Sequence, residues 1–453
     1  MKAPIVRRVV PLVIVVALIL SACATGDDTV TVGSGIPVPE HYELDLHWGS
    51  ANHTLRGTET ITLRNGGDGV LPVAWLRLWP NGWKWDRGEE PAGCEHQRIR
   101  VTLTGGGRAA DDTADCSAIA VEIDTPLRPG DRTTIELRFR VHVPNRDDRF
   151  GRRDGLALLG NAVPVLAVRD AAGWHLDPYS VVGEAGYSLA ASWRAQLRLR
   201  AGESAATTGN VVSESVAGTE RVIVVETAHA RDFALVIGPM RIHTAIADGV
   251  VLRALGPPAV GDAALDRALR SASDTMRVMQ AWYGAYGSPE LDLVVLRDSY
   301  AYEYPELVVT TPDRETVAHE VAHQWWYGIV GNDQYREPWL DESVAAWNEE
   351  QLTPGTFDCD PDHPGVGHAL TRGMDHYERV GFSRYEGAVY DGGECALERL
   401  ERDLGRDAFL GLLGRVVERF RYGVVHTPDF LALVKEVSPA VEQQWAALLG
   451  FPP

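Results

Sequence analysis

The spacing of apolar residues changes once along this 453-residue chain, and that change limits the possible folds more than any other feature. From about Tyr42 to Ala254 apolar and polar residues alternate, as in Tyr42, Leu44, Leu46, Trp48 and again in Ile135, Leu137, Phe139, Val141, Val143. Val222–Val225 and Phe233–Ile237 add short apolar runs. A period of two puts every second side chain on one face, so these segments read as half-buried strands. Asn65-Gly66-Gly67 and Asp248-Gly249 supply turns, and no long helical segment intervenes. An antiparallel, sandwich-like β domain over 40–255 is therefore expected. Beyond Pro258 the period lengthens: Leu265, Ala268, Leu269, Ala272, Met276, Met279 and Trp282 recur at helical spacing. A short strand at Leu291–Leu296 follows, and then helices. The second unit, 256–453, thus reads as a mostly helical α+β domain, and the chain as an α+β multidomain protein.

The N-terminus carries separate information. Residues 1–22 hold Lys2, Arg7 and Arg8 and no acid, ahead of an apolar run from Val9 to Leu20 interrupted by Pro11. That run is short for a membrane span but suits the core of a secretory signal. Leu20-Ser21-Ala22-Cys23 resembles the lipobox of bacterial lipoproteins, which implies removal of residues 1–22, acylation of Cys23 and an extracytoplasmic, lipid-anchored protein. Residues 23–39, polar and rich in Gly, Asp and Pro, then form a flexible tether. The whole chain has 43 basic against 63 acidic residues, a net charge of −20. Such a surface offers no basic stripe for phosphates, so nucleic acid is excluded as a partner and any membrane contact rests on the lipid. Cys94, Cys116, Cys359 and Cys395 are an even set in an exported chain, which points to two disulfides. Pairing Cys94 with Cys116 and Cys359 with Cys395 would close each loop within one domain; three connectivities are formally open.

The chemistry concentrates in Glu315–Trp326, which reads as one helix. His319 and His323 lie four apart, on one face and one turn from each other, so two imidazoles can hold one ion. Glu320, beside the first ligand, is placed to reach a water there as general base. Zinc needs a third protein ligand and an open position, and the next helix offers Glu342 in Trp339-Leu340-Asp341-Glu342, with eighteen residues between it and His323. The alternative motif with a third histidine fails, because Trp326 and Ile329 occupy its glycine and histidine positions.

His319-Glu320-x-x-His323, eighteen residues and then Glu342 in Trp-Leu-Asp-Glu resemble the aminopeptidase N family of zinc metallopeptidases, the gluzincins. Ala301-Tyr302-Glu303-Tyr304-Pro305-Glu306-Leu307 is similar to that family's substrate-binding strand, which would set Glu303 on the free α-amino group of a peptide. Val389-Tyr390-Asp391-Gly392-Gly393 resembles the segment whose tyrosine stabilises the oxyanion, implying that role for Tyr390, with Tyr385 as a second matching tyrosine. Leu176-Asp177-Pro178-Tyr179 and Arg231-Asp232-Phe233-Ala234-Leu235 extend the likeness. It implies a β-saddle domain followed by a thermolysin-like catalytic domain, one zinc ion per chain, peptide substrates and hydrolysis of the N-terminal peptide bond.

The chain departs from the family pattern in three places. Ala301 and Glu306 stand where glycine is common and Tyr302 where methionine is common; Gly392 replaces a lysine; and the sequence stops at Pro453, whereas many relatives continue into a helical domain. The changes around Glu303 keep an endopeptidase of thermolysin type in view, and a non-catalytic surface binding protein is the third reading. Histidines outside the motif, His175 and His368 among them, lack ligand spacing. Glu349 and Glu350 read as a solvated helix face, Trp325 and Trp326 as packing residues, and Asp358, Asp360 and Asp362 as an acidic loop.

Overall fold

A computed structural model of the chain describes residues 37–82, 97–114, 116–297, 301–355, 359 and 369–450. The signal and lipobox at Cys23, most of the tether, Cys94, the acidic loop residues Asp358, Asp360 and Asp362, and His368 lie outside the described residues.

Alternation makes the first domain a set of sheets around one core. In Val38–Gly49 the residues Tyr42, Leu44, Leu46 and Trp48 point inward while Glu43, Asp45 and His47 face outward. This strand is central in a seven-stranded sheet, ordered Asn210–Ala217, Glu220–Ala230, Ala191–Arg200, Val38–Gly49, Thr54–Arg64, Arg132–His142, Ile99–Gly105. Two four-stranded sheets, one built on Leu71–Arg77 and Ala118–Leu127 and the other on Leu156–Leu159 and Leu235–Gly238, supply the remaining walls of the core. Each inward leucine or valine contributes about 1.5–3 kcal/mol of transfer free energy. The expected antiparallel arrangement holds except at one junction, where Val38–Gly49 runs parallel to Ala191–Arg200. More than 140 residues separate these strands, and so long a crossover leaves the direction of pairing free. After Arg77 the single turn α1 (Trp79–Gly82) carries Trp79 into the core of the second domain.

The domain boundary differs from the expected 255/256. Arg241–Ala247 and Val250–Gly256 join a five-stranded sheet whose other members are Glu290–Val295, Leu307–Thr310 and Tyr302–Tyr304. Val250–Gly256 pairs in parallel with Glu290–Val295, so it belongs to the second domain although its period is that of the first. Periodicity reports the local element, and pairing across α2 (Asp262–Tyr283) is invisible to it. On α2, Leu265, Ala268, Leu269, Ala272, Met276 and Met279 are buried against this sheet and the following helices, as their spacing predicts.

Those helices are α3 (Arg314–Ala322), α4 (Trp339–Leu352), α5 (Met374–Val380), α6 (Phe382–Tyr385), a π-helical turn Glu386–Asp391, α7 (Gly392–Leu404), α8 (Arg406–Arg419), α9 (Thr427–Val437) and α10 (Pro439–Leu449). Among the described residues no helix is long and apolar enough to cross a membrane. Cys359, seven residues beyond the end of α4, forms a disulfide with Cys395 of α7, and Cys116 is disulfide-bonded as well. Trp325 and Trp326 are fully buried packing residues. Arg231 and Asp232 lock the two domains: the Arg231 guanidinium donates to the carbonyls of Ser188 and Gly423, and Asp232 accepts from the Tyr327 hydroxyl.

Candidate active site

The helix carrying the two histidines is shorter than expected: α3 ends at Ala322. His323 keeps helical dihedrals, and its N–H still donates to the His319 carbonyl at 3.2 Å. The i, i+4 register therefore survives, and both rings face the first turn of α4, which presents Glu342. Beyond His323 the chain turns away through longer-range bonds such as Gly328 N–H to the His323 carbonyl. This is where the expected continuation to Trp326 breaks off.

His319 Nε2 and His323 Nε2 are 3.0 Å apart, and each lies 3.3 Å from Glu342 Oε2. Ligands at about 2.0–2.1 Å from a tetrahedral zinc are separated from one another by roughly 3.3–3.4 Å, so these three atoms form a face that such an ion fits. The opposite ring nitrogens are committed elsewhere. His323 Nδ1 lies 3.0 Å from the Trp326 carbonyl oxygen and His319 Nδ1 3.1 Å from Glu349 Oε2. Donation at Nδ1 leaves the Nε2 lone pairs aimed at the shared point. Glu349, expected to be solvated, is thus the outer partner of a candidate ligand. Glu350, its neighbour, is also drawn in, accepting from Gly355 N–H.

The electrostatics agree with a cation site. Burial opposes charge on His319, yet hydrogen bonds to Glu342 and Glu349 hold its pKa well above the imidazole range. Burial likewise opposes ionisation of Glu342, and His323 and His319 pull its pKa below the usual carboxylate range. Glu320 is almost fully buried, its Oε2 has no hydrogen-bond partner, and burial pushes its pKa up to about 8. An orphaned carboxylate oxygen beside the metal face suits a proton acceptor for a water there.

Tyr390 hangs over the same face. Its ring stacks on His319 at a centroid distance of 5.7 Å and meets Tyr385 edge-on at 5.6 Å. Burial and the neighbouring Glu342 hold its pKa well above the phenol range, so it remains a donor. Its position comes from the π-helical turn, an irregularity common at functional sites. Ser343 Oγ donates to the Val389 carbonyl at 2.6 Å, and Gly393 lies so close to Ser343 that a Cβ there would collide with its side chain. The pair Ser343 and Gly393 thereby presses Tyr390 toward Glu342.

Glu303 sits in the edge strand Tyr302–Tyr304, paired opposite Val308. Its carboxylate, that of Glu342 and that of Glu184 offer oxygens within 4.8 Å of one another. Glu184 comes from the first domain and is ion-paired with Arg149, whose guanidinium lies over the Tyr302 ring. Gln334 Nε2 donates both to Glu303 Oε1 at 3.1 Å and to Asp341 Oδ2 at 2.8 Å. Burial raises the Glu303 pKa, so a cation entering here would be strongly held. Beside Glu303 a cavity of about 20 Å³ is walled by Trp79, Tyr179, Asn161 and Arg149. Sequence reasoning missed Glu184, Gln334 and Glu349. None belongs to a motif, and each is brought in from a different element.

No family model matches the chain. It is 25% identical over 205 residues to aminopeptidase M1-B of Oryza sativa, a stretch of 37% of this chain and 23% of that protein. It is also 25% identical over 158 residues to the mitochondrial aminopeptidase 2 of Saccharomyces cerevisiae, covering 30% and 16% of the two chains. The matched segments thus span less than a quarter of these curated relatives. Among solved structures, an M1 zinc metallopeptidase from Deinococcus radiodurans superposes with a TM-score of 0.65 at 20% identity, covering 92% of this chain and 94% of that one. A mutant of the Deinococcus enzyme bound to a Tyr-Ser-Ala substrate gives a TM-score of 0.67 at 20% identity, with 91% and 94% covered. A sheet-rich domain followed by a helical domain, aligned over nearly the full length of both chains, gives this protein the two-domain fold of the M1 zinc metallopeptidases.

Proposed function

We propose that the protein is a zinc aminopeptidase that removes single residues from the free N-termini of peptides. The observation that carries this reading is the adjacency of two anionic sites: the histidine–glutamate face fit for one zinc, and the pair Glu303 and Glu184 within reach of it. A peptide ammonium seated between Glu303 and Glu184 brings the first peptide bond, and no later one, to the metal face. His319, His323 and Glu342 would hold the zinc, which would supply Lewis-acid polarisation of a water and of the scissile carbonyl. Glu320 takes the proton from that water and returns it to the leaving amine. Tyr390 donates to the oxyanion as it develops, where a donor acts on the transition state more than on the substrate.

Export and a lipid anchor at Cys23 are part of the same proposal, supported by the charge and apolar pattern of the first 23 residues. In that location the substrates are extracytoplasmic peptides. Replacing Cys23 with alanine should release the protein from the membrane fraction; retention there would contradict the anchor.

The activity is tested by incubating the zinc-loaded protein with free and N-acetylated forms of one peptide set. Release of single N-terminal residues from the free peptides alone supports the proposal. Equal cleavage of acetylated peptides at internal bonds would make Glu303 a bystander and the enzyme an endopeptidase.

A further inference from the structure

Glu306 is at odds with its surroundings in three respects. It occupies the turn Tyr304-Pro305-Glu306-Leu307 between the edge strand that carries Glu303 and its partner, with φ of 64°. Proline followed by a positive φ is a turn that favours glycine or asparagine at the second of these positions. A side chain with a Cβ costs about 1–2 kcal/mol in that conformation. Second, the carboxylate is turned inward. Its Oε1 accepts from Thr227 Oγ1 at 2.8 Å, while Oε2 is buried without a hydrogen-bond partner. The Ser288 hydroxyl, which also lies 3.2 Å from the Glu290 carbonyl oxygen, and the Gly209 N–H are the other donors on the carboxylate. Third, burial lifts the Glu306 pKa to about 7 although hydrogen bonds from Thr227, Ser288 and the Gly209 N–H act against it, so ionisation is opposed unless a positive partner is present. Strain and an orphaned carboxylate in one residue point to a function the rest of the fold supports.

Glu306 lines a cavity of about 130 Å³ at the junction of the domains. Asn210, Thr227 and His229 face it from the first domain, Tyr286 and Tyr422 from the second. It shares no lining residue with the metal face or with Glu303 and Glu184. The volume is far above the roughly 10–15 Å³ that one water needs, so several non-hydrogen atoms fit. His229 stacks on Tyr422 at 4.1 Å, and burial, with Arg421 nearby, lowers its pKa. It is therefore neutral at neutral pH. Arg421 donates to the Ala285 carbonyl rather than to Glu306. The cavity thus combines a carboxylate whose Oε2 lacks a close hydrogen bond with an aromatic wall of Tyr286, Tyr422 and His229, in which the Tyr422 ring already carries His229 and Arg421. An anion would meet the carboxylate, and an apolar molecule would leave Oε2 unpaired. A donor-bearing cation meets both demands, through a charge-assisted hydrogen bond to Oε2 and packing of its apolar part against the aromatic wall.

We propose that this cavity is a second binding site, distinct from the catalytic one, for a small organic cation with an ammonium or guanidinium group, held by Glu306 between Tyr286, Tyr422 and His229. The site lies directly behind the metal-binding helix: Gln324, the residue after His323, accepts from both the Glu306 N–H at 2.8 Å and the Tyr286 hydroxyl at 2.9 Å.

The test is calorimetric titration of the full-length, zinc-loaded protein with n-butylguanidinium, using n-butylurea as the neutral isostere. Because Glu303 and Glu184 can also hold a cation, the titration is run in a Glu303→Gln background. One site should remain there. Adding Glu306→Gln or Glu306→Gly should weaken it at least tenfold, and n-butylurea should bind at least tenfold more weakly than the cation. Glu306→Gly also relieves the positive φ and should raise Tm, so loss of binding in that variant reports the carboxylate rather than misfolding. Unchanged binding after Glu306→Gly, absence of any site in the Glu303→Gln background, or equal binding of the urea would each overturn the proposal. Its failure is separable from failure of the aminopeptidase reading, which the acetylated peptides test alone.

Discussion

Glu349 Oε2 lies 3.1 Å from Nδ1 of His319, thirty residues away in sequence, and so fixes which ring nitrogen of a candidate zinc ligand is free. A carboxylate in that position orients the imidazole and raises its basicity. Replacing Glu349 with glutamine should weaken zinc binding by about 10–100-fold, the range for such outer partners. Competition against a chelator of known affinity measures it; an unchanged affinity would return Glu349 to the solvated face that its sequence position suggests.

Tyr390 acts in the account only as a donor to developing charge. Tyr390→Phe should lower kcat by about a hundredfold or more while zinc content and KM stay near wild type. A fall in zinc content instead would show that the tyrosine supports the metal face through its stacking on His319.

Gln334 bridges Glu303 and Asp341, and without it both buried carboxylates lose a donor. Gln334→Leu should raise KM for free-amine peptides by about tenfold, with zinc binding retained, because Glu303 is no longer held toward the substrate ammonium. A mutant that loses kcat but keeps KM would place Gln334 outside substrate binding.

The candidate metal face was legible because its residues lie at short, fixed offsets within or between adjacent helices. His319, Glu320 and His323 need only helical geometry, and Glu342 only a helix, a reversal and a second helix. The β domain was legible from alternation, and α2 from its stripe of buried residues. What stayed hidden depends on tertiary pairing. Val250–Gly256 has the period of the first domain and the hydrogen bonds of the second. Glu184 reaches the site from the other domain, and Gln334 from the connection between the two helices. The early end of α3 also leaves no local trace, since the residues after His323 are as apolar as those before it. Glu306 is the opposite case: its oddity is visible in the sequence as a glutamate where glycine is common, but only the fold shows that one of its carboxylate oxygens is buried without a close hydrogen bond.

His175 gives the domain interface a pH dependence. Its Nδ1 lies 3.0 Å from Asp333 of the second domain and its Nε2 2.7 Å from Asp170. Burial opposes its charge, but Asp333 and Asp170 outweigh burial and raise its pKa above 6.5. A group whose folded pKa is raised stabilises fully below its unfolded pKa and loses that contribution as pH rises through the folded value. The Tm advantage of wild type over His175→Gln should therefore be largest near about pH 6 and shrink steadily on the alkaline side. A constant or growing advantage in thermal melts across that range would show that the histidine acts through packing alone.

The most direct test of the central claim is zinc titration of the metal-free protein, following hydrolysis of a dipeptide amide with a free N-terminus. Activity should rise in proportion to zinc and stop at one equivalent, and Glu320→Gln should bind the same equivalent with no turnover. Activity that is independent of added zinc, or that survives in Glu320→Gln, would contradict the account.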